Sequence, residues 1–253
     1  MSRPNLLFIM DDQHRFDYLG RAGADFVRTP NLDRLAAGGV HFEHCYTNAP
    51  VCAPARIALA TGLQAHRFGG RDNSVFLPRS CPTYYQRLRD AGYWVGAVGK
   101  LDLAKPDTYN SDGARPACFS WGFTHPHECE GKMHAGKGED TPFGPYTAYL
   151  HQQELLDTFN ADYARRRQQG FVLSAWDSVL ATEDFEDSYI GQRAATWIVE
   201  VPDDFPWHLY VSFVGPHDPF DPPAEYGRRY RQAHMPAPVT GGRASRSTCI
   251  GAR

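Results

Sequence analysis

The sequence has no apolar run approaching the roughly 20 residues that cross a bilayer, so no membrane-spanning helix is expected. It has no excess of base either. Lys and Arg number 26 against 29 Asp and Glu, a net charge of −3. Binding a phosphate backbone requires a concentrated basic face, so no nucleic-acid partner is expected. Cysteine is sparse and unpatterned: Cys45, Cys52, Cys81, Cys118, Cys129 and Cys249 show no paired spacing. They read as thiols of a reducing compartment. The N-terminus enters an apolar run of five residues, Leu6 to Met10, too short for a secretory signal. The expected location is therefore the cytoplasm, with no membrane attachment. Internal repeats are absent as well. What remains is an ordinary globular composition, 42% hydrophobic and 22% charged. At 253 residues the chain is long enough for one large domain with a sizeable core.

Strand-like and helix-like segments alternate. Residues 4–10 read as a buried parallel strand with a polar stop. Thr29-Pro30 opens a helix that Gly38-Gly39 ends. Residues 40–46 read as a strand, 54–61 as a helix, 82–91 as a helix closed by Gly92, and 93–98 as a strand closed by Gly99. Residues 105–150, rich in Gly, Pro, His and Tyr, read as a long irregular excursion over one edge of a site. Helices are expected at 151–169 and 187–200 and a strong strand at 207–214. The pattern indicates an α/β fold with a mostly parallel sheet. Residues 1–238 form the expected domain. Residues 239–253 lack acids and aromatics and read as an atypical, disordered tail or the product of premature termination.

Two features carry chemistry. Asp11 and Asp12 stand where the first strand should end, and ligands of open α/β sheets bind beyond the carboxyl ends of strands. Paired carboxylates suit a hard divalent cation. Adjacent residues of a regular strand face opposite ways, so both reach one ion only if the strand stops there. The second feature is Cys52-Ala53-Pro54-Ala55-Arg56, running on to Thr61-Gly62. Pro54 sets a helix start, which places Cys52 near the helix's positive end and Arg56 one turn on. That setting activates a thiol, yet a soft thiolate is a poor companion for an ion held by aspartates. The conflict disappears if the Cys52 side chain is oxidised to an oxygen-bearing group.

Cys-x-Pro-x-Arg followed by Thr-Gly resembles the signature of type I sulfatases, whose cysteine becomes formylglycine. The flanks agree: Pro4-Asn5-Leu6-Leu7-Phe8-Ile9-Met10-Asp11-Asp12-Gln13, Thr29-Pro30-Asn31-Leu32-Asp33-Arg34-Leu35-Ala36, His66-Arg67, Ala91-Gly92-Tyr93, Gly99-Lys100 and Phe213-Val214-Gly215-Pro216-His217-Asp218-Pro219-Phe220 follow in the family's order. The resemblance covers about residues 3–238. It implies an alkaline-phosphatase-like α/β/α sandwich and a sulfuric ester hydrolase. It also implies a formylglycine at Cys52, hydrated to a diol that attacks the sulfur of a small sulfate ester and then expels sulfate from a covalent hemiacetal. Asp11, Asp12 and the group at Cys52 would hold a cation, calcium by the resemblance, with Mg2+ or Mn2+ as alternatives. Arg56 would orient the diol. Lys100 and His217 would contact sulfate oxygens or protonate the leaving group, and Asn73 would line the pocket with them, as His14 and Arg15 could. A formylglycine-generating or other sulfatase-maturing enzyme is the implied partner. A phosphodiester or phosphonate monoester hydrolase on the same scaffold is the near alternative, and a truncated non-catalytic remnant the distant one.

Two departures from the family pattern stand out. Many members place a histidine two residues after the lysine, where this chain has Asp102. An acid there either binds a cationic substrate group or pairs with Lys100 or Arg56. Relatives also bring a later Asp-Asn or Asp-His pair and another lysine, which this sequence does not contain, so weaker ion binding and exposed apolar surface are expected. Cys118, His125, His127, Cys129 and His134 lie close together, but their spacings fit no zinc finger and are assigned to the excursion.

Overall fold

The computed structural model describes residues 3–104, 116–171, 174–231 and 235–237. The tail read at 239–253 lies outside them. Among the described residues the sheet has four strands: β1 (Leu6–Met10), β2 (Trp94–Gly99), β3 (His125–Glu128) and β4 (Trp207–Ser212). All run parallel, in the order β1-β4-β2-β3. The helices are α1 (Pro30–Ala37), α2 (Cys52–Thr61), α3 (Tyr84–Asp90), α4 (Pro116–Ser120), α5 (Lys132–Ala135), α6 (Pro145–Gln152), α7 (Leu156–Gln168), α8 (Glu186–Glu200) and α9 (Ala224–Tyr230). None is long and apolar enough to cross a membrane.

The period-2 alternation of the strands sorts the core into two layers. Val98, Leu209 and Val211 pack with Tyr146 and Leu150 of α6, Phe159 of α7, and Tyr189 and Ile190 of α8. Val95, Ala97 and Tyr210 point the other way, onto Ile57 and Ala60 of α2, Tyr85 of α3, and Trp121. Helices on both faces of a parallel sheet make the expected α/β/α sandwich. Gly99 ends β2 at φ 102°, and a Cβ there would collide with the Ser212 carbonyl oxygen. Only glycine lets β2 and β4 close up at the point where their loops leave the sheet.

Three expectations need correction. The strand read at 40–46 has no regular structure; Val40 and Tyr46 are 80% and 84% exposed, with no described strand beside them. β1 pairs in parallel as expected but is not buried. It forms one edge of the sheet, and Ile9 is 56% exposed. Within its described part the excursion is not irregular: 116–152 contain α4, β3, α5 and α6, while residues 105–115 lie outside the described residues. The sequence of β3, His-Pro-His-Glu, carries no apolar period because its place is set by backbone pairing with Gly96–Gly99. The helix expected at 151–169 is likewise two helices, α6 and α7, separated at Glu154 with φ 59°.

Candidate active site

Parallel strands bring their carboxyl ends to one edge, and the loops there are tied together by backbone bonds. Phe213 N–H donates to Met10 O at 2.8 Å, Asp12 N–H to Gly215 O at 2.9 Å, and Lys100 N–H to Ser212 O at 3.0 Å. Asp12, Lys100 and His217, from three different loops, thereby face one pit. α2 supplies the fourth wall. Its apolar side, Ala53, Ile57 and Ala60, is fully buried, which fixes the helix against the sheet and turns Arg56 inward. Gly62, at φ 70°, ends it. Val51 caps the start of α2 without a side-chain bond. Asn73, from a distant loop, instead accepts the Ala53 N–H at 3.0 Å.

Arg56 is the hub of the pit, 1% exposed. Its Nη2 donates to Asp12 Oδ2 at 2.9 Å; its Nη1 donates to Lys100 O at 2.6 Å, Ser212 Oγ at 2.6 Å and Tyr210 Oη at 3.1 Å. Lys100 Nζ donates to the same Asp12 Oδ2 at 2.7 Å and lies 3.4 Å from Asp102 Oδ2. Burial alone would raise the Asp12 pKa, but Lys100 and Arg56 outweigh it and hold the carboxyl below its ordinary value. Burial works equally against the Lys100 ammonium and is overcome by Asp102 and Asp12, so its pKa is raised. Both cations and the Asp12 anion are thus charged at neutral pH.

One edge of the pit is formed by Asp12, Cys52 and His217. Their ligand atoms all lie within 4.8 Å of one another, and Cys52 Sγ is 3.7 Å from Asp12 Oδ1. The His217 pKa is raised, first by its hydrogen bond with Cys52, against burial. Its Nδ1 lies 2.7 Å from Asp218 O. A cleft of about 520 Å³ opens beside these groups, lined by Asn73, Lys100, Lys132, His134 and His217 among others. Asp11 does not enter this group. It is half-exposed and bonded to His14 Nδ1, whose pKa is raised mainly by that bond. Arg15 pairs with Asp17 on the surface. Asp102 sits behind Lys100, 1% exposed, at φ 51°.

The sequence matches the family model for Sulfatase over residues 4–241. This chain belongs to the sulfatase family. It is similar to an arylsulfatase of Clostridium perfringens, 29% identical over 255 residues, covering 94% of this chain and 48% of the relative. It is equally similar to a choline-sulfatase of Rhizobium meliloti, 29% identical over 247 residues and covering 94% and 43%. The chain spans about half the length of the curated relatives it matches. The fold is that of the phosphonate monoester hydrolase of Agrobacterium radiobacter, with a TM-score of 0.64 over 89% of this chain and 44% of that one, at 24% identity.

Sulfatase-type motifs account for Asp12, Cys52, Arg56, Lys100 and His217, but sequence reading missed the groups that hold them. Tyr210 and Ser212 share one face of β4 and bond the Arg56 guanidinium. A serine ending an otherwise apolar strand, two residues after a tyrosine, was the available signal. Lys132 was also missed. It is buried at the cleft, donating to Asp221 Oδ1 at 2.6 Å and Pro219 O at 3.3 Å, while Tyr163 Oη donates to Asp221 Oδ2 at 2.9 Å.

Proposed function

We propose that residues 1–238 are the nucleophile-bearing catalytic domain of a sulfuric ester hydrolase in which Cys52 is converted to formylglycine by a maturing enzyme. The observation that carries this reading is the convergence of Asp12, Cys52, Arg56, Lys100 and His217, from four separate segments, on one pit beside an open cleft. Its cysteine stands at the first residue of α2 (Cys52–Thr61), within a ring of charged groups.

The donor set fits a divalent cation only in part. The carboxylate of Asp12 suits calcium, magnesium or manganese, whereas the thiol of Cys52 does not. An oxygen-bearing group at position 52 removes the mismatch, so the residues fit an ion once Cys52 is matured. Asp12 and the group at 52 would hold it, with Asp11 joining only by leaving His14. The ion supplies Lewis acidity, and hydrated formylglycine supplies an oxygen nucleophile at neutral pH. Arg56 holds Asp12 and the Lys100 carbonyl in register. Lys100, at the floor of the cleft, offers positive charge to an ester oxygen as charge develops on it. His217, its Nδ1 2.7 Å from the Asp218 carbonyl oxygen, is placed to give a proton to the departing alcohol. The substrate is a small sulfate ester whose alcohol part occupies the cleft between Asn73 and His134.

Mass spectrometry of the peptide containing residue 52, from protein co-produced with a sulfatase-maturing enzyme, tests the nucleophile. Conversion of thiol to aldehyde lowers the mass by about 18 Da. Aryl sulfate turnover by protein in which residue 52 remains a thiol would refute this reading. Side-by-side assay of aryl phosphonate monoesters separates it from the alternative on the same scaffold.

A further inference from the structure

The loop that carries His217 is clasped at both ends. At the near end Asp187, in the first turn of α8, accepts the Val214 and Gly215 N–H groups on Oδ1 at 2.9 and 3.0 Å. At the far end Lys132 Nζ donates to Pro219 O at 3.3 Å and to Asp221 Oδ1 at 2.6 Å, and Tyr163 Oη donates to Asp221 Oδ2 at 2.9 Å. Lys132, Asp221 and Tyr163 are all buried. Between the clasps, His217 Nδ1 lies 2.7 Å from Asp218 O and 3.4 Å from Asp218 Oδ1. A carbonyl oxygen only accepts, so Nδ1 bears a hydrogen and the transferable proton of this ring is the one on Nε2. The carbonyl that orients the imidazole belongs to the residue just before Pro219, whose own carbonyl Lys132 holds. Lys132 is in turn anchored to the sheet, since Cys129 N–H, three residues earlier, donates to Gly99 O at 2.9 Å. Its charge also acts on Glu186 and Asp187, offsetting part of the effect of their burial, so it bears on the near clasp of the same loop.

We propose that Lys132 is a positioning residue: it holds the far end of the His217 loop so that the imidazole faces the departing alcohol, and it acts on turnover through His217. This rests on the functional reading above and deepens it. In the step concerned, the nucleophile at residue 52 forms a bond to sulfur and the bond from sulfur to the alcohol oxygen breaks. The electron pair of the broken bond goes to that oxygen, and the proton on His217 Nε2 moves to it. A general acid must stand within hydrogen-bond reach of the atom it protonates, and a misplacement of about 1 Å can cost ~100-fold in rate. Lys132 borders the cleft, but its side chain is only 5% exposed, its ammonium is bonded to the loop, and Nζ stands 5.2 Å from the centre of the Phe185 ring. The ammonium is therefore turned into the wall, where it bears on the loop rather than on an ester.

The test uses the full chain with matured Cys52 and two substrates, nitrophenyl sulfate and an alkyl sulfate. Nitrophenolate departs without a proton and an alkoxide does not, so the alkyl ester reads the acid. K132M keeps an apolar stem and removes both donations. It should lower kcat/KM for the alkyl sulfate about 10- to 100-fold, and for nitrophenyl sulfate less than about threefold. Placed in an H217A background, K132M should cost less than about twofold more, because the group it positions is gone. By hydrogen-exchange mass spectrometry the peptide covering residues 213–222 should exchange faster in K132M, with the peptide of α2 unchanged. Equal losses with the two esters, or the full loss repeated in H217A, overturns the proposal, since Lys132 then touches the ester itself or merely supports the fold. Unchanged exchange in residues 213–222 overturns it as well. If K132M does not fold, because the Asp221 carboxylate has lost its cation, K132M/D221N removes that orphaned charge and repeats the measurements; failure of both to fold makes the pair part of the fold and overturns the proposal. Absence of wild-type turnover, or H217A turning over the alkyl sulfate as fast as wild type, refutes the functional reading itself. A loss in H217A that K132M does not share refutes only this inference.

Discussion

Replacing Arg56 by methionine tests the architecture of the site without reference to its chemistry. The guanidinium makes four donations, to Asp12 Oδ2, Lys100 O, Ser212 Oγ and Tyr210 Oη, at 2.9, 2.6, 2.6 and 3.1 Å. Methionine fills much of the volume but donates nothing. Asp12 is left with Lys100 as its cation, and three buried acceptors lose a donor. Breaking one side of a buried ion pair costs about 3–5 kcal/mol, and each unsatisfied buried acceptor adds about 1–3 kcal/mol, less where water enters. The expected loss is therefore at least ~3 kcal/mol, a drop in Tm on the order of 10 °C for a chain of this length. Urea unfolding followed by circular dichroism measures it. The sign of the pH dependence follows from Asp12. Its folded pKa is depressed, so its contribution is present above the unfolded value and lost as pH falls through the folded one. In Arg56→Met the depression is smaller, so the acid-side loss should be smaller and complete at higher pH. Pairing the change with Asp12→Asn should cost less than the two single changes summed, because the orphaned charge is gone. A loss below ~1 kcal/mol, or strict additivity with Asp12→Asn, would refute the buried hub.

Other perturbations read neighbouring parts of the same frame. Gly99→Ala forces a Cβ onto the Ser212 carbonyl oxygen at a φ of 102°, and should destabilise the chain on the order of 3 kcal/mol; a urea midpoint within ~0.5 kcal/mol of wild type contradicts the close approach of β2 and β4. Asn73→Ala removes the acceptor of the Ala53 N–H and should cost ~1 kcal/mol, with faster hydrogen exchange confined to the first turn of α2; unchanged exchange there shows that Asn73 is no cap. The Asp11–His14 contact raises the His14 pKa, so its stabilisation is present below the unfolded histidine value and lost as pH rises through the folded one. Asp11→Asn should move the His14 NMR titration to lower pH, and an unmoved titration would show that the two side chains do not pair.

Much of the frame was legible because its signals are local. The apolar runs of β1, β2 and β4, the Thr29-Pro30 helix start and the Cys-x-Pro-x-Arg turn lie where the periodicity puts them, within a residue or two. β3 was not legible, since a strand spelled His-Pro-His-Glu has no apolar face of its own. It exists because Gly96 to Gly99 offer it a backbone edge and the chain after Trp121 leads there. Residues 40–46 failed in the opposite sense. Val40, Phe42 and Tyr46 have the composition of a strand, but no described strand lies alongside to accept their backbone, and they stand exposed. The environment of Arg56 was half legible. An arginine one turn after a helix start predicts reach toward Cys52, but the acceptors that hold it come from β4, more than 150 residues away, and no local pattern pairs them.

Asp11 and Asp12 show where residue identity stops and backbone geometry takes over. As letters they are equivalent, and a shared ion required the strand to end at them. β1 does end at Met10, and Gln13 turns the chain at φ 64°. The pleat nevertheless persists one step further, because the Asp12 N–H bonds Gly215 O and Phe213 N–H bonds Met10 O, carrying the β1–β4 ladder past the last strand residue. Neighbouring side chains therefore still diverge. Asp12 is driven into the pit, where two cations make its burial favourable, and Asp11 is turned out to His14. For Asp11 to reach an ion at Asp12 and residue 52, it must give up the imidazole. If the proposed cation binds there, the strength of that one exposed pair enters directly into the site's affinity for it.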